Sequence, residues 1–227
     1  MEAHRRARPP TTVTPTDTLP RGSAVRLVIL DCDGVLFDSF EANVAFYDSV
    51  LKDLGHRPLV GMARDLCQRM SGPQLWAHLF SDDDAMLARA KAAASHADYS
   101  PFYELMRPTP ALDGTLARLA RHCRVAMATN RGRTVGEVVR RFGLDRFLSA
   151  WLGILDVPRA KPAPDLLLAN LDRAQVPASA AVYVGDTSID RDAAAAAGVP
   201  YVGVGSCSGT ARAIAELREL PDLLAIP

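Results

Sequence analysis

The sequence predicts an α/β protein in which an all-helical cap subdomain is inserted into a core built on a parallel sheet. Three observations support this fold class. The apolar run 25–30 is rich in β-branched residues, which is typical of a strand buried on both faces of a parallel sheet. From residue 107 onward, strand-like runs alternate with helical patterns, which implies right-handed βαβ units. The intervening residues show helical periodicity and no convincing strand. The core is therefore expected to be Rossmann-like.

In chain order, the first element is a tail over residues 1–23, which we expect to be disordered. It contains Arg, Thr and Pro and lacks the apolar stretch of a secretory signal. The predicted core comprises residues 24–39 and 107–227, and the predicted cap comprises residues 40–106. Apolar residues recurring every three or four positions predict cap helices at 39–54, 66–70, 74–80 and 82–96. We expect core strands at 25–30, 124–128, 151–155, 181–184 and 199–204, and core helices at 112–122, 134–142, 164–174, 189–197 and 210–220.

The composition argues against two classes of partner. Lys and Arg together number 26, as do Asp and Glu, so no net field attracts nucleic acid or an anionic membrane. No apolar run approaches the roughly 18 residues that a membrane span needs. The four cysteines are scattered without a CxxC pair, and the five histidines lack metal-ligand spacing. This pattern favours reduced thiols in a cytoplasmic protein, and it leaves open whether the protein is a monomer or a homodimer.

Two carboxylates follow the first predicted strand directly. Asp31 and Asp33 lie at its carboxyl end, where ligands of open α/β sheets bind, and Gly34 permits a tight turn beside them. Two carboxylates at 4 Å repel each other by about 4 kcal/mol at an effective dielectric constant of ~20. They are tolerated together if a cation lies between them or if one stays protonated. We therefore expect a cation site here.

Three further segments end or follow predicted core strands. They are Thr129–Asn130, Lys161 with the prolines that follow it, and Gly185–Asp190. Each alone is ordinary turn chemistry. Because the carboxyl ends of parallel strands open on one edge of the sheet, we expect their side chains to face the same crevice as Asp31.

Together these segments resemble the motifs of the haloacid dehalogenase superfamily, in its phosphoglycolate-phosphatase-like group with a helical (C1-type) cap. The resemblance covers roughly residues 25–206. The segments that carry it are Asp31–Ser39, Thr129–Asn130, Lys161–Pro164 and Gly185–Asp190. The family would imply a Mg²⁺-dependent phosphatase that acts on a small phosphorylated metabolite, either phosphoglycolate-like or a sugar phosphate.

The resemblance also implies roles for the aspartates. Asp31 would attack phosphorus and form an aspartyl-phosphate, and Asp33 would protonate the leaving alcohol and later deprotonate water. Mg²⁺ would be held by Asp31, the backbone carbonyl of Asp33 and Asp186. Asp190 would lie either beside the ion or against its ligands. A hard divalent cation with carboxylate ligands agrees with this set of residues.

The resemblance assigns phosphate binding to Thr129 and the Lys161 ammonium, with Asn130 beside them. Small hydroxyl and amide groups and an ammonium are suited to hold phosphoryl oxygens, and the ammonium offsets the repulsion between the aspartates and a dianion.

Other activities of similar proteins fit less well or stay open. Asp33 disfavours a dehalogenase and a phosphonate C–P hydrolase, which lack an acid/base aspartate there, and the latter also needs a cap lysine that is absent near residues 70–74. A phosphomutase of the β-phosphoglucomutase type shares all four motifs and stays open. A non-catalytic binding module on the same scaffold is the alternative from another class.

Substrate specificity is expected to reside in the cap. The candidates are Arg64, Arg69, Gly72 and His78. Either arginine could meet a second anionic group on the substrate, and the alternative is that both are solvated. For Asp38 two interpretations stand: it supports the site from nearby, or it caps the first cap helix.

Overall fold

The computed structural model describes residues 18–205 and 212–227; the side chains of residues 68 and 69 lie outside this description. Six strands form one sheet in which every neighbouring pair is parallel, in the order β5-β4-β1-β6-β7-β8. The strands are β1 (Leu27–Leu30), β4 (Arg124–Ala128), β5 (Ala150–Leu152), β6 (Ala181–Gly185), β7 (Tyr201–Val204) and β8 (Ala213–Ile214). This arrangement confirms the α/β, Rossmann-like fold class.

Strand β1 lies at the centre of the sheet and is covered on both faces. Its four residues are fully buried, and they pair in register with β4 on one side and β6 on the other. Val28 and Leu30 face a cluster that includes α5 (Leu112–Ala120) and α6 (Val135–Arg141). Leu27 and Ile29 face a second cluster with α7 (Asp165–Ala174) and α8 (Ser188–Ala197). Because successive residues of β1 pack against opposite faces of the sheet, every position of the strand is apolar, as expected for a parallel sheet covered on both sides.

The helical insertion, residues 40–106, has its own apolar cluster. It contains α1 (Phe40–Asp53), α2 (Met62–Arg69), α3 (Gly72–Leu79) and α4 (Asp84–His96). Trp76 and Phe80 are buried in that cluster. Strands β2 (Phe37–Asp38) and β3 (Arg107–Pro108) pair antiparallel where the chain enters and leaves the insertion. This pair brings the two connections side by side.

Two sequence predictions need correction. A helix over 210–220 is wrong in the described part, because residues 213–214 form β8, followed by a 3₁₀ turn at Leu217–Glu219 and α9 (Leu220–Leu223). Pairing with β7 and burial of Ile214 override local helix preference there. The predicted tail also ends too late. Leu19 is buried, and the Gly22 N–H donates to the Leu224 carbonyl at 2.7 Å, while residues 1–17 lie outside the described part.

Two further predictions can be compared with the described residues. None of the described helices is long and apolar enough to cross a membrane. Cys32, Cys67 and Cys123 are free thiols, and Cys207 lies outside the described part.

Candidate active site

The predicted site residues meet at the carboxyl edge of the sheet. Loops after β1, β4, β5 and β6 bring them together, as the parallel topology requires. Lys161 Nζ lies 2.9 Å from an oxygen of Asp31 and 2.7 Å from an oxygen of Asp190. Carboxylate oxygens of Asp31, Asp186 and Asp190 lie within 4.8 Å of one another. Side chains far apart in sequence therefore form one charged cluster.

Two glycines allow the acidic groups to come this close. Gly34 has φ of +77°, and a Cβ added there would overlap the carboxylate of Asp186. A Cβ at Gly185 would overlap Asp190 in the same way. Only glycine tolerates both the left-handed backbone at position 34 and the close contact. The two glycines of these motifs are thus required by the packing of the carboxylates.

The acidic cluster has the properties of a cation site. Burial, and then the charge of Asp190, raise the pKa of Asp186 to about 7, and burial raises the pKa of Asp31 well above its ordinary value despite Lys161. Asp186 Oδ1 is buried and has no hydrogen-bond partner among the described residues. An orphaned carboxylate oxygen beside two further carboxylates fits a hard divalent cation with oxygen ligands.

Lys161 is an ammonium held entirely within the protein. Its side chain is 2% exposed. Burial acts to lower the pKa of Lys161, but Asp190 and Asp31 outweigh it and keep the pKa above its ordinary value. In return Lys161 outweighs the burial of Asp190 and lowers the pKa of that carboxyl. The pair is therefore charged, and the ammonium is fixed beside Asp31.

The residues after β4 divide into two roles. Thr129 is buried, and its hydroxyl oxygen accepts a hydrogen bond from the Arg131 N–H at 3.2 Å. The Asn130 amide makes two bonds to the backbone of Lys161, accepting at 2.9 Å and donating at 3.2 Å. Asn130 thus holds the lysine loop in place, and a direct contact between Asn130 and phosphate stays a prediction.

Sequence reasoning missed two buried residues of the site. Arg131 forms a two-pronged ion pair with Asp33; its charge outweighs the burial of that carboxyl and lowers its pKa. The hydroxyl of Tyr183, on β6, donates to Asp190 Oδ1 at 2.6 Å and accepts from Lys161 at 2.9 Å. The available signal was position, since Arg131 directly follows Thr129–Asn130 and Tyr183 lies within the strand that leads to Gly185.

A cavity of about 430 Å³ opens above this cluster, between the core loops and the helical insertion. Its polar end is formed by Asp31, Thr129 and Lys161. The remaining wall exposes mostly apolar surface, from Phe46, Tyr47, Met70, Pro73, Trp76 and Tyr99 among others. It also includes the basic residues Lys91, Arg131 and Arg133.

The cavity tests the four specificity candidates. Of these candidates, only Gly72 is among the described residues that line it. Arg64 instead pairs with Glu41 at 3.2 Å on the surface, and His78 is exposed. Neither is among the described residues that line the cavity, and the surface ion pair favours the alternative that Arg64 is solvated. A role for either residue in specificity stays a prediction. The side chain of Arg69 lies outside the described part.

Asp38 is exposed and accepts a hydrogen bond from the Phe40 N–H at 3.3 Å. This contact favours the second interpretation of Asp38, in which it stabilises the start of α1.

The chain was then compared with known proteins. A family model described as haloacid dehalogenase-like hydrolase matches residues 28–204. The phosphoglycolate phosphatase of Pseudomonas putida is 31% identical to this chain, over 81% of this chain and 70% of its own length. That of Pseudomonas savastanoi is 32% identical, over 86% of this chain and 75% of its own length. A solved HAD-superfamily hydrolase of subfamily IA, variant 1, from Geobacter sulfurreducens is 32% identical. That match covers 91% of this chain and 100% of the solved one, with a TM-score of 0.72. The chain belongs to the haloacid dehalogenase-like hydrolase family.

Proposed function

We propose that the chain is a Mg²⁺-dependent phosphatase that hydrolyses a small phosphate monoester through an aspartyl-phosphate on Asp31. The observation that carries this proposal is the fixed ammonium of Lys161, 2.9 Å from Asp31 and beside two further carboxylates. A nucleophile next to both a cation and a divalent-ion site suits attack on a phosphate dianion. The phosphoglycolate phosphatases among its relatives support phosphoric monoester hydrolysis.

The reaction takes place in two steps on this chain's own residues. In the first, a carboxylate oxygen of Asp31 attacks phosphorus while the P–O bond to the alcohol breaks, and Asp33, which enters this step protonated, gives its proton to the alcohol oxygen. In the second, Asp33 takes a proton from water, the water oxygen attacks phosphorus, and the bond to Asp31 breaks. The Thr129 hydroxyl and Lys161 hold the phosphoryl oxygens during both steps.

The residues proposed to hold Mg²⁺ are Asp31, Asp186 and the backbone carbonyl of Asp33. When bound, the ion neutralises phosphoryl charge as a Lewis acid. Both oxygens of Asp190 are already engaged, Oδ1 by Lys161 and Oδ2 by the Thr187 hydroxyl. We therefore assign Asp190 to fixing Lys161 against the site. We assign Asp186 to the ion, because one of its oxygens has no hydrogen-bond partner in the described part of the chain.

The cavity favours an alcohol larger than glycolate. A volume of about 430 Å³ falls in the range of roughly 300–1,000 Å³ typical of pockets for drug-sized ligands. Aromatic and apolar walls bind a substrate more tightly when the substrate offers apolar surface to bury against them. We propose the helical insertion, residues 40–106, as the cap that provides these walls and selects the substrate.

The test is phosphate release from a panel of esters that includes 2-phosphoglycolate, sugar phosphates and p-nitrophenyl phosphate, with Mg²⁺ and with EDTA. We expect turnover that EDTA abolishes and that Asp31→Asn lowers by at least about 10³-fold, as expected for loss of a nucleophile. The matched control is Asp38→Asn, which changes an exposed aspartate of the same motif. Conversion of a sugar 1-phosphate without phosphate release would point to a mutase. Binding without turnover would point to a non-catalytic module.

A further inference from the structure

Arg131 lies between the proposed acid/base and the helical insertion. Its Nη2 lies 2.5 Å from Oδ1 of Asp33, and its Nε lies 2.8 Å from Oδ2. The two side chains are 6% and 14% exposed, so water competes little for this contact. A planar guanidinium that touches both oxygens fixes the plane of a carboxylate as well as its position.

The two oxygens of Asp33 are engaged to different extents. Oδ1 also accepts hydrogen bonds from the Ser39 hydroxyl and the Asn43 amide. Within the described part of the chain, Oδ2 accepts only from Arg131. Each carboxylate oxygen has about two lone-pair positions, so Oδ2 keeps one that can carry or accept a proton, and Asp33 lines the cavity. Oδ2 is therefore the oxygen placed to exchange a proton with a substrate.

The guanidinium nitrogen Nη2 that contacts Asp33 also contacts the helical insertion. Nη2 lies 3.3 Å from Asn43 Oδ1 and 3.4 Å from the Tyr99 hydroxyl oxygen, and the Tyr99 ring centroid lies 5.2 Å from the Arg131 Cζ. The Tyr99 hydroxyl in turn donates to Asn43 Oδ1 at 2.7 Å. The orientation of the Asp33 carboxylate thus depends on two residues of the insertion.

We propose that Arg131 is the positioning residue of the acid/base: it presents Oδ2 of Asp33 to the leaving alcohol, and Asn43 and Tyr99 couple this orientation to the insertion. The proposal rests on the proposed phosphatase function. As the P–O bond to the alcohol breaks, the alcohol oxygen takes the proton from Oδ2, and water later returns one. A misplaced carboxylate slows the first step most for strongly basic leaving groups, because those need the proton in order to depart.

The test compares an alkyl phosphate with p-nitrophenyl phosphate, whose weakly basic leaving group departs without a proton. The measured quantity is kcat/KM, which includes the steps up to departure of the alcohol. In Arg131→Met we expect kcat/KM to fall about 100-fold or more for the alkyl phosphate and less than about tenfold for p-nitrophenyl phosphate. Arg131→Lys keeps the charge and loses the planar fork, so the same selectivity is expected with a smaller loss.

Arg141 provides a matched control. It also joins the core to the insertion, through an ion pair with Glu104 at 2.8 Å and a stacked contact over the Tyr103 ring at 5.3 Å. It is not among the described residues that line the cavity, and its side chain is 44% exposed. In Arg141→Met we expect kcat/KM for both esters to stay within about twofold of wild type, since exposed ion pairs contribute little.

Several outcomes would overturn the proposal. An equal loss on both esters in the two Arg131 variants would mean that the residue is merely structural. Additive losses in the double variant Arg131→Met with Asp33→Asn would also exclude it, because residues that act through each other give non-additive losses. If Arg131→Met fails to fold, the leaving-group selectivity of Arg131→Lys and Tyr99→Phe decides. If the wild type releases phosphate from no ester, the proposed function has failed and the role of Arg131 falls with it.

Discussion

Replacing Asp186 by Asn is expected to stabilise the metal-free protein and to remove most of the stabilisation that Mg²⁺ provides. Burial and the charge of Asp190 raise the pKa of Asp186 from its ordinary 3.8 to about 7. This difference in pKa corresponds to a loss of at most about 4 kcal/mol in the free energy of unfolding when Asp186 is ionised. Because Asp186 is partly exposed and its neighbours can relax, we expect Asp186→Asn to raise the free energy of unfolding of the metal-free protein by about 1–2 kcal/mol.

The direction of the pKa shift fixes the pH range. Below about pH 4 the Asp186 carboxyl is protonated in both the folded and the unfolded chain, and it changes nothing. Between about pH 4 and 7 the unfolded chain releases this proton while the folded chain keeps it, so the free energy of unfolding falls as the pH rises. The stability gained in Asp186→Asn should therefore grow from pH 5 to pH 8.

The assay is urea unfolding at both pH values, in EDTA and in Mg²⁺, with the exposed Asp38→Asn as control. A ligand at 100 times its Kd adds about 2.7 kcal/mol to the folded state, and we expect Asp186→Asn to keep less than about 1 kcal/mol of this gain. The reasoning is refuted if Asp186→Asn is the less stable protein in EDTA at pH 8. Equal gains from Mg²⁺ in the two proteins would refute the assignment of Asp186 to the ion.

Three further predictions follow from the packing of the site and its cavity. Gly34→Ala should lower the free energy of unfolding by at least about 2 kcal/mol, because a Cβ there overlaps Asp186. Gly55 is the control: it has the same φ of +77°, and a Cβ added there would have no described atom within 4 Å. Gly55→Ala should therefore lower the free energy of unfolding by only about 1 kcal/mol. Equal melting temperatures in the two variants would contradict this. Tyr183→Phe should cost about 1–3 kcal/mol by urea unfolding, since it removes a buried partner of Asp190, and an unchanged midpoint would mean that the hydroxyl contributes nothing. Aryl or larger phosphate esters should exceed 2-phosphoglycolate in kcat/KM by about tenfold or more, and the reverse order in a steady-state comparison would contradict the cavity argument.

The strands that were predicted well are those whose residues face apolar clusters on both sides. Strand β1 is buried on both faces and is therefore apolar at every position, so it can be recognised from the local sequence alone. Strand β8 lacks that signal: it has two residues, and only its pairing with β7 makes it a strand. Strand β5 ends at Leu152, earlier than predicted, because a turn begins at Gly153, whose N–H bonds to the Asp156 carboxylate at 2.8 Å. Short elements at the edges of a sheet depend on contacts that sequence periodicity does not record.

The same distinction separates the site residues that were found from those that were missed. The aspartates at 31 and 33 follow a recognisable strand, so their place in the fold could be inferred from neighbouring residues. The long side chain of Arg131 contacts Asp33, which lies 98 positions away in the sequence, and its role depends on where its guanidinium lies in the folded protein. In a chain in which nearly all of the 26 basic residues are arginines, residue type alone gave no reason to select this one.

The charges of the site help to explain why the pKa values of two of its carboxyls, Asp31 and Asp186, are raised while those of Asp33 and Asp190 are lowered. Four carboxylates face two buried cations, Lys161 and Arg131, so with all four ionised the cluster would carry two excess negative charges. Burial raises the pKa values of Asp31 and Asp186, and neither carboxyl has a cation to itself that would offset this effect. One divalent ion would cancel that excess and allow both groups to ionise. A phosphate dianion would then approach a neutral cluster with an ammonium at its edge, which is the condition that attack by an anionic nucleophile on an anionic substrate requires.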